Sequence, residues 1–503
     1  MISNQAMPDP TILKLIFGAK AAYLRQQKGL SLQDLSRLTG LSAPYLHEIE
    51  KGKKYPKADK IMLIAEALGV PFDELVAVYT SKKLQPIIEL LESEWLNAFP
   101  LEDMFGLSAA KLLELFANTP DKVNAFISTV IKIARNYQLQ TESFYNAALR
   151  SYQDLHDNYF SELEQAADDF RQQNLTTAPI PYTTAALEAA LWNTFNIRTE
   201  RKTLPKNAKL ARIRSVFSPT KKTLYLNKNL SAAQQNFLIG RELGFQYLQL
   251  SERAYETIIQ KAETFDKLLN NFKASYFASA LLMSEQEMIH DVYAVAQLSQ
   301  WDNQLIFRLL KKYDVTPEML LQRLTNILPR HFDVKDLFFL RIIGSEDLKT
   351  FTMDKELHLS QLHSPYANHL QEHYCRRWAS LRVLKKLRAH TAPKDTILAE
   401  AQISQYWQTD KSYFILSVGK MLSPPNKKSV SVTLGLMITD KLQALFRFLN
   451  PTQRPPAYLP LHTVHTTCER CAISDCNERA VPPVYIERQQ ELSIIEEEVQ
   501  KLR

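Results

Sequence analysis

The chain has 503 residues, a net charge of +7 and an isoelectric point near 8.9. With 45% hydrophobic and 23% charged residues it has the make-up of a globular protein, and its length points to several domains rather than one core. Only 11 glycines, and no G-x-G-x-x-G or G-x-x-x-x-G-K run, argue against the glycine-rich nucleotide-binding folds. Four cysteines are too few for a disulfide scaffold. Met1 to Pro10 lacks a basic, apolar leader, and the longest apolar run, Ala274 to Met283, is too short to cross a bilayer. A cytoplasmic protein without membrane association is expected.

Residues 12–78 carry short helical periods separated by glycine. Thr11 to Lys28 stops at Gly29. Ser31-Leu-Gln-Asp34 is a capping-box start for a second helix that ends at Gly40. A third begins near Ser42, turns Leu46 and Ile49 inward and ends at Gly52, and a fourth runs from Ala58 to Leu68. Two short helices joined by a glycine turn form a helix-turn-helix, whose second helix enters the major groove of double-stranded DNA by its N-terminus. The outer face of the third helix then presents Ser42, Ala43, Pro44, His47 and Lys51 to the groove, with Gln33 placed for a phosphate. Lys51, Lys53, Lys54, Lys57 and Lys60 form a basic run suited to backbone phosphates. Ala43 and Pro44 offer no bidentate base contact. From Gly29 to Leu75, including Glu50-x-Gly52 and Ile64-Ala65-x-x-Leu68-Gly69-Val70, the segment resembles the XRE/Cro-type helix-turn-helix, which implies a DNA-binding domain over 1–80 and dimers on a palindromic site.

Residues 81–178 read as a helical linker and dimerisation region. Phe144, Ala148, Tyr152, Leu155, Tyr159, Leu163, Ala166 and Phe170 recur in steps of three and four, which predicts one long amphipathic helix. That stripe suits an internal core or a homodimer interface equally. Pro179-Ile-Pro181 marks the next boundary.

Over 179–332 strand and helix alternate. The helix from Ala233 to Leu250 carries Arg241-Glu242-Leu243-Gly244-Phe245, and a later one carries Lys273-Ala-Ser-Tyr-Phe277-Ala278 and Leu281-Leu282-Met283. These segments resemble the ImmA/IrrE zinc peptidases, whose helix has H-E-L-G-H and whose later helix supplies an acidic ligand. Here the two histidine positions are Arg241 and Phe245, and the acidic position is Lys273. None of the three can ligate zinc, and Glu242 has no metal-bound water to deprotonate. The expectation is a degenerate zincin-like domain with no catalytic residues, in which Glu242 pairs with a cation or packs. His290, His331, His358, His363 and His390 show no ligand spacing.

Over 333–503 β-branched and aromatic runs at Asp336 to Ile342, Ser412 to Val418, Val430 to Ile438 and Leu445 to Leu449 predict strands, interrupted by a helix near 368–388. That is an α+β domain with a mostly antiparallel sheet. Cys468-x-x-Cys471-x-x-x-x-Cys476 is a chelating pattern, and Cys375 is the remaining thiol. Buried free thiols, a four-thiolate zinc and a [4Fe–4S] cluster stay open. One distant cysteine plus a triplet favours the cluster. Arg376, Arg377, Arg382, Lys385, Lys386 and Arg388 give the helix after Cys375 a basic face, either solvated or facing phosphates. The final helix, Ile486 to Leu502, is acidic and amphipathic and is expected to pack back on the body.

The order of segments, with Cys375-x-x-Trp378 and a tail that continues to Arg479-Ala480-x-Pro482-Pro483, resembles the short-chain fatty acyl-CoA regulator family along nearly the whole chain. Cys468-Glu469-Arg470-Cys471 departs from the family's C-R-x-C by shifting the arginine one place. The resemblance implies a non-enzymatic regulator answering to a short-chain acyl-CoA and controlling propionate-type catabolism. The alternative is a repressor whose peptidase-derived domain serves only as a partner platform or proteolytic module. The expected architecture is multidomain, mainly α with an α+β C-terminal half.

Overall fold

Capping serines and left-handed glycines set the first helices. A computed structural model describes residues 10–76, 141–207, 209–210, 213–257, 264–359, 372–389, 396–422, 428–450 and 459–502. The dimer-forming helices expected within 81–140 lie outside these residues. The chain divides into two units, Met1–Ala148 with Lys261–Leu268, and Leu149–Gln260 with Leu269–Arg503.

In the first unit, α1 (Pro10–Gln27), α2 (Leu32–Thr39), α3 (Ala43–Glu50), α4 (Ala58–Leu68) and α5 (Phe72–Val76) follow one another. Ser31 caps α2 with the reciprocal bond to Asp34, and Gly40 closes it at φ 68°. Ser42 caps α3, its hydroxyl accepting from the Tyr45 amide at 3.3 Å. Phe17, Leu35, Leu46, Ile49, Ile61, Ile64, Leu68 and Leu75 make one core, each contributing about 1.5–3 kcal/mol on burial. A side chain on Gly18 would stand 2.3 Å from the Ile49 carbonyl, so α1 crosses α3 where only glycine fits.

Between 141 and 174 the single long helix expected from the periodicity is two, α6 (Thr141–Leu155) and α7 (Ser161–Asn174). Asp157 and Asn158 take left-handed φ of 50° and 53° and turn the chain. These residue types tolerate that conformation, and tertiary bonds hold it. Asn158 donates to Thr325 Oγ1 at 2.8 Å and its carbonyl accepts from Asn326 at 2.7 Å. The apolar spacing survives the break because Tyr152 and Phe160 still stack, 5.3 Å apart. Helix period alone cannot register such a turn.

Next come α8 (Thr184–Phe195), β1 (Arg198–Glu200), α9 (Thr203–Lys206), β2 (Ser215–Ser218), β3 (Thr223–Leu226), α10 (Ala232–Tyr247) and β4 (Glu256–Thr257). The strands form a sheet of order β1-β3-β2-β4. Four helices follow: α11 (Phe265–Leu282), α12 (Glu285–Ala296), α13 (Gln304–Tyr313) and α14 (Pro317–Phe332). Gly244 lets α10 lie against α11, since a Cβ there would meet the Phe277 ring at 2.9 Å and the Ala274 carbonyl at 3.2 Å.

The C-terminal part of the second unit is a six-stranded sheet flanked by helices. It contains β5 (Leu337–Gly344), β6 (Phe351–His358), α15 (Ala379–Ala389), β7 (Ile397–Tyr406), β8 (Ser412–Met421), β9 (Ser429–Met437), α16 (Asp440–Leu445) and β10 (Leu461–Val464). The order is β10-β7-β8-β9-β5-β6, antiparallel except for the β10–β7 pair. One face (Val432, Leu434, Leu436, Leu416) packs into the core that contains α14. The other (Phe338, Leu340, Ile342, Ile415) packs with Leu381, Val383, Leu384 and Leu387 of α15. Phe338 lies where a side chain on Gly435 would be, 2.3 Å from the ring, so the strand has to be bare there.

Three expectations in this region need correction. Leu445 to Leu449 is not a strand; α16 and a single 3-10 turn, Arg447–Leu449, occupy it, and its aromatics pack into Trp301 and Phe414. The helix expected over 368–388 starts at Ala379, after Tyr374 has joined a β-bridge to Thr467. The last helix, α17 (Val484–Lys501), buries no residue, and Leu492, Ile494 and Ile495 stand more than half exposed at 51%, 61% and 51%. Its first turn touches the body, where Arg470 lies over the Tyr485 ring at 4.2 Å, but its amphipathic spacing leads to no buried face.

Candidate nucleic-acid interface, degenerate cleft and thiol site

Helix α3 presents Ser42, Pro44, His47 and Lys51 exposed, with Ala43 half-buried beside them and Gln33 exposed at the start of α2. These positions share one side of the two-helix motif because Leu46 and Ile49 take the other. Of the basic run, Lys54 pairs with Glu48 at 2.7 Å and lies over the Tyr45 ring, and Lys60 pairs with Asp59 at 3.4 Å. Lys51, Lys53 and Lys57 are exposed and, among the described residues, carry no ion pair.

Sequence reading missed what holds this face in place. Arg25 of α1 forks onto Glu50 at the end of α3, at 2.7 and 2.9 Å, and donates to the Leu30 carbonyl at 2.7 Å. Both side chains are nearly buried, at 12% and 9% exposure. This gives the Glu50-x-Gly52 pair its physical reason: the carboxylate fastens the groove-facing helix to α1. Arg25→Ala is expected to destabilise the first unit by about 2–3 kcal/mol, because Glu50 loses its charged partner. Arg25→Lys should recover less than half of that, since an ammonium cannot make the bidentate fork. Thermal unfolding of the two variants checks both.

In the second unit, α10 brings Arg241, Glu242 and Phe245 to a cleft lined also by Ser215, Phe217, Arg253, Tyr255 and Thr257. Glu242 does pair with a cation. Arg253 donates to both its oxygens at 2.8 and 2.7 Å, and Gln246 adds a third bond at 2.7 Å. The Arg253 guanidinium lies 3.6 Å from the Phe245 ring centre. A cation thus still sits between the glutamate and the second ligand position, but it is an arginine from the loop before β4. Arg241 points its guanidinium to Asn271 at 2.7 Å and Thr257 at 3.3 Å. Burial, with Arg253's charge beside it, lowers the Arg241 pKa to about 10. Lys273, on α11, is half-buried. Nothing in the local sequence around Arg253 marks it for this role.

Elsewhere in the same unit the chain around Cys375 is stitched to the triplet segment. Cys468 N–H donates to the His373 carbonyl at 2.8 Å, Cys375 N–H to the Thr466 carbonyl at 3.1 Å, and Trp378 Nε1 to the His465 carbonyl at 2.9 Å. Glu372 pairs with Arg470 at 2.7 Å, and Glu469 with His373 at 2.8 Å. Glu372, Glu469 and Arg470 beside the thiols are therefore engaged in cross-links rather than left to solvent. Cys375, Cys468 and Cys471 are buried and Cys476 is partly exposed. Arg479 gathers the loop, donating to the carbonyls of Cys468 and Cys471 at 3.1 Å each and also to that of Ile473. The Ala480 amide donates to Cys468 Sγ at 3.4 Å. Burial pushes the Cys375 thiol up to about 12, against backbone amides that favour its thiolate, with Cys468 and Cys471 close enough to add to the rise. Burial raises Cys471 as well, with Cys476 and Cys468 nearby. Among the described residues no three histidine, cysteine or acidic side chains stand close enough together to hold a metal ion.

The basic face expected after Cys375 is largely tied down. Arg376 lies over the Phe351 ring at 4.5 Å, Arg377 donates to the Thr463 carbonyl at 3.3 Å, and Arg382 and Lys386 pair with Glu400 at 3.0 and 3.2 Å. Lys385 is exposed and Arg388 half-buried, and neither has such a bond among the described residues.

Comparison with known proteins gives two family matches: helix-turn-helix over residues 22–75, and the IrrE N-terminal-like domain of the M78 peptidases over residues 194–325. An uncharacterised HTH-type transcriptional regulator of Sinorhizobium fredii, y4dJ, is 34% identical over 64 residues, which is 13% of this chain and 83% of that protein. The HTH-type transcriptional regulator DdrOP3 of Deinococcus deserti is 32% identical over 53 residues, 10% of this chain and 41% of its own length. Among solved structures, a Mycobacterium tuberculosis transcriptional regulator superposes with a TM-score of 0.47 at 18% identity, covering 67% of this chain and 94% of that one. Among the described residues no helix is long and apolar enough to cross a membrane. By its N-terminal segment the chain belongs to the HTH-type transcriptional regulators.

Proposed function

We propose that this regulator is a cytoplasmic homodimer, non-enzymatic, whose C-terminal half holds a [4Fe–4S] cluster on Cys375, Cys468, Cys471 and Cys476 and whose DNA affinity answers to a short-chain acyl-CoA. The observation that carries the reading is the stitching of Cys375 to the triplet. Residues 96 positions apart, His373 and Glu469, are hydrogen-bonded, which brings the segment of Cys375 beside that of the triplet. The donors are of the right kind for the group: all four thiols of the chain, mostly shielded from water, with an amide aimed at Cys468 Sγ. A bound cluster would supply a redox-sensitive link between the two segments. Arg479 would keep the loop folded around it, and Trp378 and Tyr374, packed 5.3 Å apart, would exclude water. Zinc on the same four thiolates is the alternative.

The acyl-CoA effector and the control of propionate-type catabolism rest on the resemblance of the segment order and of the cysteine-rich tail. Such an effector acts only if it binds the DNA-competent and incompetent states unequally. The non-enzymatic reading rests on Arg253, which neutralises Glu242 in the cleft. Anaerobic purification tests the cofactor. Brown protein with about four irons per chain, lost in Cys375→Ser, is the expected result. Colourless protein with one zinc would remove the cluster. Operator binding measured with and without butyryl-CoA tests the effector separately, and no change in affinity at saturation would reject it.

A further inference from the structure

Residues 198–228 carry ten lysines and arginines against a single acid, Glu200, a larger surplus than the net +7 of the whole chain. They fold as β1, α9, β2 and β3, so the charges sit on one small sheet rather than scattered over the unit. Phe217, Leu224 and Leu226 of that sheet belong to the core. Its rim belongs to the cations. The hairpin between β2 and β3 carries Lys221 and Lys222, and the Arg198 amide donates to the Lys222 carbonyl at 3.0 Å, which sets the start of β1 beside the hairpin tip. Strands β1 and β3 run parallel, so Lys202 and Lys206, which follow β1, and Lys228, which follows β3, come to the opposite end together. Arg198, Lys202, Lys206, Lys221, Lys222 and Lys228 are all exposed and, among the described residues, carry no ion pair. Arg201 is tied, to Glu188 and to Gln235 at 2.8 Å. Glu200 is turned onto the amides that open α9, those of Lys202 and of Thr203, the latter at 3.0 Å. Like charges gathered without partners repel one another in the folded chain, and a polyanion relieves that repulsion.

We propose that this rim is a second phosphate-contacting surface, which grips duplex DNA outside the footprint of the helix-turn-helix. Duplex DNA is the polyanion because the same chain carries a DNA-binding segment, and one contact made by a chain raises the effective concentration of DNA for the next. A membrane surface asks for insertable apolar groups beside the charge. Trp192 is the large exposed apolar side chain next to the rim, and the Arg198 guanidinium lies 4.9 Å from its ring centre. Phosphates carry no sequence, so the rim adds affinity and salt dependence without base preference. The peptidase-like segment then serves as a DNA clamp beside its lost chemistry. The proposal rests on DNA binding by the first unit and on neither the cluster nor the acyl-CoA reading.

The test uses the full chain and a duplex that the wild type selects from a random pool, in two lengths. The short form covers only the protected site, and the long form adds about two helical turns at each end. Changing Lys202, Lys206, Lys221 and Lys222 together to glutamine keeps the stems and removes the charges. On the long duplex this variant is expected to bind about ten- to a hundredfold more weakly than the wild type at about 0.1 M salt, with the slope of log affinity against log salt reduced by about 0.9 for each lysine that meets a phosphate. On the short duplex it should match the wild type, and its thermal unfolding should too, since all four side chains are exposed. Alanine at Lys51, Lys53 and Lys57 has the other pattern, weaker binding at both lengths with the gain from added duplex kept, so failure of the first unit's contacts and failure of the rim are read apart. A folded glutamine variant with wild-type affinity and slope on the long duplex would overturn the proposal, as would equal losses at both lengths or a wild type that gains nothing from the longer duplex. Binding to phosphatidylserine vesicles that the variant loses, with its duplex binding intact, would make the rim a lipid surface instead.

Discussion

Arg323→Met is expected to lower the stability of the second unit by about 3–5 kcal/mol, the usual effect of removing one partner from a buried ion pair. Arg323 is fully buried and donates to both oxygens of Glu164, to Oε2 at 2.8 Å, while its Nε reaches the Met283 carbonyl at 3.1 Å. Tyr276 donates to the same carboxylate at 2.7 Å and accepts from the Phe160 amide at 3.2 Å. One network thus ties α7, α11 and α14 together. Removing the guanidinium leaves Glu164 charged in an apolar surround, or forces it to take up a proton. Replacing both partners, Glu164→Leu with Arg323→Met, removes the orphan charge and should recover at least half of the loss. Tyr276 would still lack an acceptor, at about 1–3 kcal/mol, so full recovery is not expected. Thermal and denaturant unfolding of the singles and the double give the coupling energy. A double variant as unstable as the sum of the two singles would mean that the pair does not act as a unit.

What could be read from residue order, and what could not, follows from how far each structural cause lies from its effect along the chain. The N-terminal helices were legible because their signals are local: Ser31 and Ser42 sit next to the helices they cap, and Gly40 next to the turn it makes. The absence of zinc ligands at Arg241 and Phe245 was legible because side-chain chemistry alone decides it. The turn at Asp157 and Asn158 was not, since its reason is Thr325 and Asn326, far downstream. Strand β7 escaped notice because Glu400, Gln402 and Ser404 are polar yet buried, held by Arg382, by the Arg377 carbonyl and by one another. The aromatics of Leu445 to Leu449 misled in the opposite sense: they announce burial, and burial has no period in so short a run. In the cleft, Glu242 was visible and its partner Arg253 was not, because a loop arginine looks the same whether it is solvated or buried.

Replacing Lys51, Lys53 and Lys57 together by alanine is expected to weaken DNA binding by roughly two to three orders of magnitude at about 0.1 M salt, each lost phosphate contact contributing about five- to tenfold. The three are exposed around the C-terminal end of α3 and the turn into α4, and among the described residues no carboxylate pairs with them. Lys54 and Lys60 are held by Glu48 and Asp59 and should matter less. The diagnostic is the salt dependence. The slope of log affinity against log salt should fall by about 0.9 for each lysine, hence by about 2.7 per module. The loss should be nearly the same for every duplex, because phosphates carry no sequence. Substitution of Ser42 or His47 on the groove-facing side has the opposite signature, a changed preference among duplexes selected from a random pool with the slope intact. None of the three lysines packs in the core, so thermal unfolding of the triple variant should match the wild type and separate lost contacts from lost structure. An unchanged salt slope in a folded triple variant would show that these lysines do not meet the backbone and that another face of the first unit carries the DNA.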